Sequence, residues 1–327
     1  MKAEQPLRKP ASPSRKGKLS KMSEYIEKEL GDPDDYRRGT LDSRGGSAFS
    51  EARDSASRWI ADQVIRKSDL QAASAKGHAE IVRQLLERGA DVNAQGGSYG
   101  NALQAASAEG HAEIVQQLLE HGADVNTQSG YYSNALYAAS AKGYAEIVRQ
   151  LLEHGADVNA QGGSYGNALQ AASAEGHAEI VQQLLERGAD VDVNAQSRLY
   201  SSALQAASAE GYAEIVRQLL EHSADVNAQS GPYGNALYAA SIRGHAEIVQ
   251  QLLERGADVN TQSGPYGNAL QAASARGYAE IVQQLLERGA DVNAQGGLYS
   301  NALQAASAEG HAEIVQQLLE RGADVNV

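Results

Sequence analysis

The sequence predicts an all-α repeat solenoid, and three observations predict it. A string close to NALQAASAEGHAEIVQQLLERGADVN, residues 301–326, occurs eight times. One leucine times the copies: Leu70, Leu103, Leu136, Leu169, Leu204, Leu237, Leu270 and Leu303, at successive spacings of 33, 33, 33, 35, 33, 33 and 33 residues. A fixed period of this size marks a stack of small supersecondary units. Each copy also holds two short helical patterns that meet at a glycine. Neither is long enough to be stable alone. Their apolar stripes have to be buried on neighbouring copies, so the array coheres through nearest-neighbour interfaces.

The second copy shows the elements in order. Asn101 precedes Ala102 to Glu109, and Gly110 follows. Asparagine is a strong N-cap and glycine the usual residue just past a helix, so this is a first helix of about two turns. The capping position holds Ser68 and Ser202 in the first and fifth copies and Asn in the other six. A second helix is expected from about Ala112 to Glu120. Ile114, Val115, Leu118 and Leu119 form its apolar stripe, Glu113 favours the positive end of its dipole, and Gly122 ends it. The Gly- and Ser-rich segment after Ala123-Asp124-Val125-Asn126 reads as an extended turn or hairpin.

A helix, a Gly-His turn, a helix with IV..LL, then GADVN and a turn resembles the ankyrin repeat, over residues 68–327. The closest likeness is to the fungal style of array, with NALQ where other members carry Thr-Pro-Leu-His. The resemblance implies helix-turn-helix-hairpin units stacked in one curved array, at 68–100, 101–133, 134–166, 167–201, 202–234, 235–267, 268–300 and 301–327. Asn101 and Ala102 stand where the family has Thr and Pro, so the helix start is capped but less rigid. A tyrosine sits near each turn tip. The fourth turn, Ala189-Asp190-Val191-Asp192-Val193-Asn194, is two residues longer than its siblings. Strand side chains alternate with period two, so the insertion is expected to lengthen the turn without breaking the stack. Ser223 replaces a helix-ending glycine, a local weak point.

Charge divides the chain. Residues 1–67 hold 15 Lys/Arg against 11 Asp/Glu, which leaves 13 against 30, net −17, for the repeats. An acidic array repels phosphate backbones, so direct nucleic-acid binding by the repeats is not expected. There is no cysteine, which excludes disulfides and thiolate chemistry. No run of about 18 apolar residues occurs, and no membrane association is expected. The eight histidines recur at the repeat spacing and not at that of a chelate. No Walker A, GxGxxG, HExxH or GxSxG string is present. The expectation is therefore no enzyme, no cofactor and no metal.

The copies differ at few places. The turn residue before the tip tyrosine reads Ser98, Tyr131, Ser164, Leu199, Pro232, Pro265 and Leu298, with Arg198 before Leu199 in the lengthened turn. The residue before the inter-helix glycine reads Lys76, Glu109, Lys142, Glu175, Glu210, Arg243, Arg276 and Glu309. The fourth residue of NALQ is Gln except at Tyr137 and Tyr238. In ankyrin-like proteins the hairpin tips and the exposed face of the first helix form the concave partner groove. By that resemblance the candidate partner-binding residues are Lys76, Tyr99, Tyr131, Tyr132, Tyr137, Lys142, Tyr165, Arg198, Leu199, Tyr200, Tyr233, Tyr238, Arg243, Tyr266, Arg276 and Tyr299. Tyrosine is enriched at interfaces. The alternatives are tip tyrosines that pack on the next hairpin and charged positions that drift.

The ends are different. Residues 1–50 are expected to be disordered, with a basic tail over 1–21 and a short helix near Met22–Leu30. Arg8-Lys9 and Arg15-Lys16-Gly17-Lys18, with Ser12-Pro13 between, resemble a weak nuclear-import signal. Residues 51–67 carry a helical stripe around Trp59 and are expected to cap the first repeat. The eighth copy matches interior copies and lacks a polar cap, with Ala302, Leu303, Ile314, Val315 and Leu318 the residues to watch. End-to-end self-association through it is one expectation. The expected function is a non-catalytic scaffold binding another protein, in the cytoplasm. The alternatives are a detached sensor arm of a fungal NACHT-type signalling NTPase and a nuclear regulatory adaptor.

Overall fold

Asparagine caps, glycine stops and apolar stripes place the helices where the sequence puts them. In the computed structural model, residues 69–191, 202–229 and 234–326 are described. Residues 69–75 are helical and precede the helix Ala79–Glu87. The pairs that follow are Ala102–Glu109 with Ala112–Glu120, Ala135–Lys142 with Ala145–Glu153, and Ala168–Glu175 with Ala178–Glu186. Then come Ala203–Glu210 with Ala213–Glu221, Ala236–Arg243 with Ala246–Glu254, Ala269–Arg276 with Ala279–Glu287, and Ala302–Ala308 with Ala312–Glu320. The basic tail, the expected helices near 22–30 and 51–67, the cap Ser68 and the lengthened part of the fourth turn lie outside the described residues. So do Arg198, Leu199, Tyr200, Pro232 and Tyr233.

Each first helix whose cap is described starts as expected. The Asn101 side chain accepts from the Gln104 backbone N–H at 2.8 Å, and Ser202 does the same for Gln205 at 3.1 Å. Gly110 is left-handed at φ 83°. First helices pack on the first helices of adjacent repeats, and second helices on second helices. The stripes join into one continuous core from Leu70 to Leu318. Leu118 and Val115 are fully buried, and burying one such leucine is worth about 1.5–3 kcal/mol. No helix of the described residues is long and apolar enough to cross a membrane.

Two kinds of glycine punctuate the stack. Gly122, Gly155 and Gly188 end second helices at positive φ but face open space. At that position Ser223 is tolerated, left-handed at φ 67°, at a cost of about 1 kcal/mol. The inter-helix glycines that face a following repeat are constrained twice. A Cβ on Gly110 would also meet the Tyr144 ring of the next repeat at 2.7 Å, and one on Gly143 the His177 ring at 2.6 Å. The periodic His and Tyr side chains therefore pack across repeat boundaries. Nε2 of His245 lies 3.1 Å from the Ala209 carbonyl of the preceding repeat. The other histidines, such as His121, approach a carbonyl of the helix they end, at 2.8 Å.

The expected hairpins are tighter than hairpins. Only Gln161–Gly162 and Gly166–Asn167 form a two-residue antiparallel pair among the described residues. In two other turns a single bridge closes the turn, between Gly96 and Gly100 and between Ser129 and Ser133. Side chains from the helices supply the remaining hydrogen bonds.

At the eighth repeat Ala302, Ile314 and Leu318 stay buried. Leu303 and Val315 become half-buried, and Leu319 and Val325 are exposed.

Candidate functional site

The turn tips and the ends of the first helices form one row along the stack, and its geometry is built from the inside outwards. The buried Gln104 donates from Nε2 to the Ser129 carbonyl at 2.9 Å and the Ser133 carbonyl at 2.8 Å. This ties the first helix of a repeat to the turn that follows it. Gln271 does the same with the Gly296 and Ser300 carbonyls, both at 2.9 Å. Tyr137 and Tyr238 occupy this position in their repeats. They are buried, at 3 % and 1 % exposure, which corrects the expectation that they line the open groove. The Tyr137 hydroxyl accepts from the N–H groups of Ser164 at 3.0 Å and Tyr165 at 3.2 Å. The Tyr238 hydroxyl accepts from the Tyr266 N–H at 3.1 Å, and burial pushes its pKa up. Their reach is inward because the turn, and not solvent, lies beyond the third residue of the helix.

The tips also bond to one another. The Tyr131 N–H donates to the Ser98 carbonyl at 2.9 Å and the Leu298 N–H to the Pro265 carbonyl at 3.1 Å. These two pairs of neighbouring tips are thus tied by backbone contacts between repeats.

Half-buried tip tyrosines then meet the charged residue ten positions on, at the end of the next first helix. Tyr99 donates to Glu109 at 2.6 Å and Tyr165 to Glu175 at 2.7 Å, and Tyr299 donates to Glu309. The carboxylate beside each hydroxyl raises its pKa. Where the charge is positive, the contact changes character. The Arg276 guanidinium lies 5.5 Å from the centre of the Tyr266 ring, a cation–π distance, and Tyr266 stacks on Tyr299 at 6.0 Å. Tyr132 meets Tyr131 edge to face at 5.1 Å. The described tip tyrosines thus pack within the row.

Exposed members of the row include the charged residues Lys76, Lys142, Arg243 and Arg276 and the turn residues Tyr131 and Leu298, the last two 76 % and 69 % exposed. Ile242, Arg243, Arg276 and Tyr278 line an open depression of about 510 Å³ between repeats six and seven. Ile242 was not among the expected residues. Its signal was present: every other copy has Ala there, at 75, 108, 141, 174, 209, 275 and 308.

The back of the array is different. Arg83, Arg149 and Arg217 each pair with two glutamates of their own helix, for example Arg149 with Glu146 at 2.6 Å and Glu153 at 2.7 Å. Such exposed pairs contribute little. On another edge Asn93 donates to the Gly122 carbonyl at 3.1 Å and accepts from the Asp124 N–H at 2.7 Å. Asn126, Asn227, Asn260 and Asn293 repeat this link to the next copy. This ladder was also missed, because it relates one copy to the next and is invisible within a single repeat.

Stacked helix pairs with tight projecting turns define a helical repeat solenoid. The family model described as ankyrin repeats matches residues 70–162, 103–197, 168–263 and 263–327. The chain belongs to the ankyrin-repeat family. No curated protein is similar enough to the chain to match it. Ankyrin repeats generally mediate protein–protein interaction and are typically non-catalytic modules.

Proposed function

We propose that the array is a scaffold that binds a partner protein along the row of turn tips and first-helix ends. One observation carries this reading: the exposed positions that differ most between copies converge on that row. Lys76, Tyr131, Lys142, Arg243, Arg276 and Leu298 all lie there. The second helices instead repeat AEIV[RQ]QLLE with a single variable position, whose arginines are committed to glutamates of the same helix. A rigid row with variable, exposed side chains suits recognition, because little ordering entropy is lost on binding. The test is capture of partners by the full chain and by a variant carrying Lys76→Glu, Lys142→Glu, Arg243→Glu and Arg276→Glu. The reading expects the partner to be lost. Equal retention by the variant contradicts it.

A further inference from the structure

We infer that the depression formed by Ile242, Arg243, Arg276 and Tyr278 recognises an extended acidic segment of the partner protein, with two carboxylates about three residues apart and an aliphatic side chain between them. This rests on the reading of the tip row as the partner-binding face, and names the chemistry of one part of it.

The charge order along the row is the first argument. From the first repeat to the eighth it reads Lys76, Glu109, Lys142, Glu175, Glu210, Arg243, Arg276, Glu309. Repeats six and seven supply its one pair of adjacent basic residues, in an array of net charge −17. Arg255, Arg288 and Arg321 also succeed one another along the stack, but each directly follows a glutamate, Glu254, Glu287 or Glu320. The depressions beside Arg288 and Arg321 accordingly include Glu287 and Glu320 in their walls. The described residues that line the wall at Arg243 and Arg276 are Ile242 and Tyr278, neither of them a carboxylate.

The depression is also lined by apolar side chains. The sixth copy breaks the alanine rule at Ile242, and the Tyr278 ring beside it is held against Gly244, where a Cβ would meet the ring at 2.7 Å. Two guanidinium groups flanking an aliphatic and an aromatic side chain suit a ligand that is anionic at its ends and apolar in the middle. One of the two arginines is preorganised. Arg276 rests on the Tyr266 ring, itself stacked on Tyr299, so less side-chain entropy is lost when it binds. Arginine is also the side chain best matched to carboxylate geometry.

Spacing sets the register. Packed helices lie about 8–10 Å apart, and an extended chain rises about 3.3 Å per residue. Acidic residues at positions i and i+3 of the partner therefore match successive arginines. Glu210 and Glu309 bracket the pair and disfavour a ligand with charge beyond those positions, such as a uniform polyanion.

The experiment titrates the full chain with a fluorescein-labelled peptide, Gly-Ser-Glu-Leu-Ser-Glu-Gly-Ser, and follows the arginine Nε–H resonances. Parallel titrations use the same peptide with both Glu changed to Gln, phosphatidylserine vesicles, and a single-stranded DNA oligonucleotide. The expected result is binding of the acidic peptide with shifts at Arg243 and Arg276. Arg243→Gln or Arg276→Gln weakens it about tenfold each. Ile242→Ala, which installs the residue of the other copies and so keeps the fold, weakens it as well. The inference is overturned if the Gln peptide binds equally, if the double arginine variant retains the acidic peptide, if no peptide binding is seen, or if vesicles or DNA engage these arginines instead. A partner that the array captures and the double variant still captures overturns this inference alone. It leaves the scaffold reading standing.

Discussion

Tyr99, at the tip of one turn, donates a 2.6 Å hydrogen bond to Glu109, at the end of the next repeat's first helix. The same link, ten residues long, recurs between Tyr165 and Glu175 and between Tyr299 and Glu309. A neighbouring carboxylate disfavours the phenolate, so all three tyrosines hold their proton above the ordinary value near 10. The folded pKa is raised, so the stabilisation is complete below the unfolded tyrosine pKa and is lost as pH climbs through the folded one. Absorbance titration is expected to show late-ionising tyrosines. Glu175→Gln is expected to bring Tyr165 back toward 10. Unchanged titration in that variant would show that the carboxylate is not the cause.

The buried hydroxyl of Tyr137 holds two backbone N–H groups of its turn. Tyr137→Phe leaves both without that partner, and the expected loss is about 1–3 kcal/mol in denaturant unfolding. Tyr137→Gln installs the side chain that six sibling copies use, and is expected to recover most of it. Equal stability of the Phe variant would remove the tie from the account of the turn.

Asn126 links repeat two to repeat three through the Gly155 carbonyl and the Asp157 N–H. Asn126→Ala is expected to cost about 1–2 kcal/mol and to speed amide exchange at Asp157 before exchange rises elsewhere. Slow exchange at that amide in the variant would count against the ladder.

The glycine classes make opposite predictions. Ser223→Gly is expected to stabilise the array by about 1 kcal/mol, because the left-handed residue faces open space like its glycine siblings. Gly110→Ser is expected to destabilise it by more, since the Tyr144 ring occupies the space of the new side chain. Thermal unfolding of the two variants in opposite directions is the check.

Much of this fold was legible in one copy of the repeat. Asn101, Gly110 and the stripe from Ile114 to Leu119 mark both helices of repeat two at their observed ends. These signals are local: a cap, a left-handed stop and a 3.6-residue period. What was not legible depends on contacts between elements. Tyr137 and Tyr238 look like surface residues in a helical pattern and are in fact cores of the turns, because their partners lie 27 or 28 residues on. The Asn93 link spans 29 and 31 residues. The tip tyrosines and the charged positions appeared as two separate series, and the structure joins them into one row. Ile242 was legible as a break in an alanine column, but its meaning came only with the depression it lines.

Site-specific photo-crosslinking of the full chain in cells reads out which face of the array binds. A benzophenone side chain is placed at Tyr131 or Leu298 on the exposed tips, and at Gln116 or Gln250 on the exposed second helices. A partner protein bound along the tip row gives adducts from Tyr131 or Leu298 and none from Gln116 or Gln250. Adducts from the second-helix positions with none from the tips would contradict the assignment of the binding face.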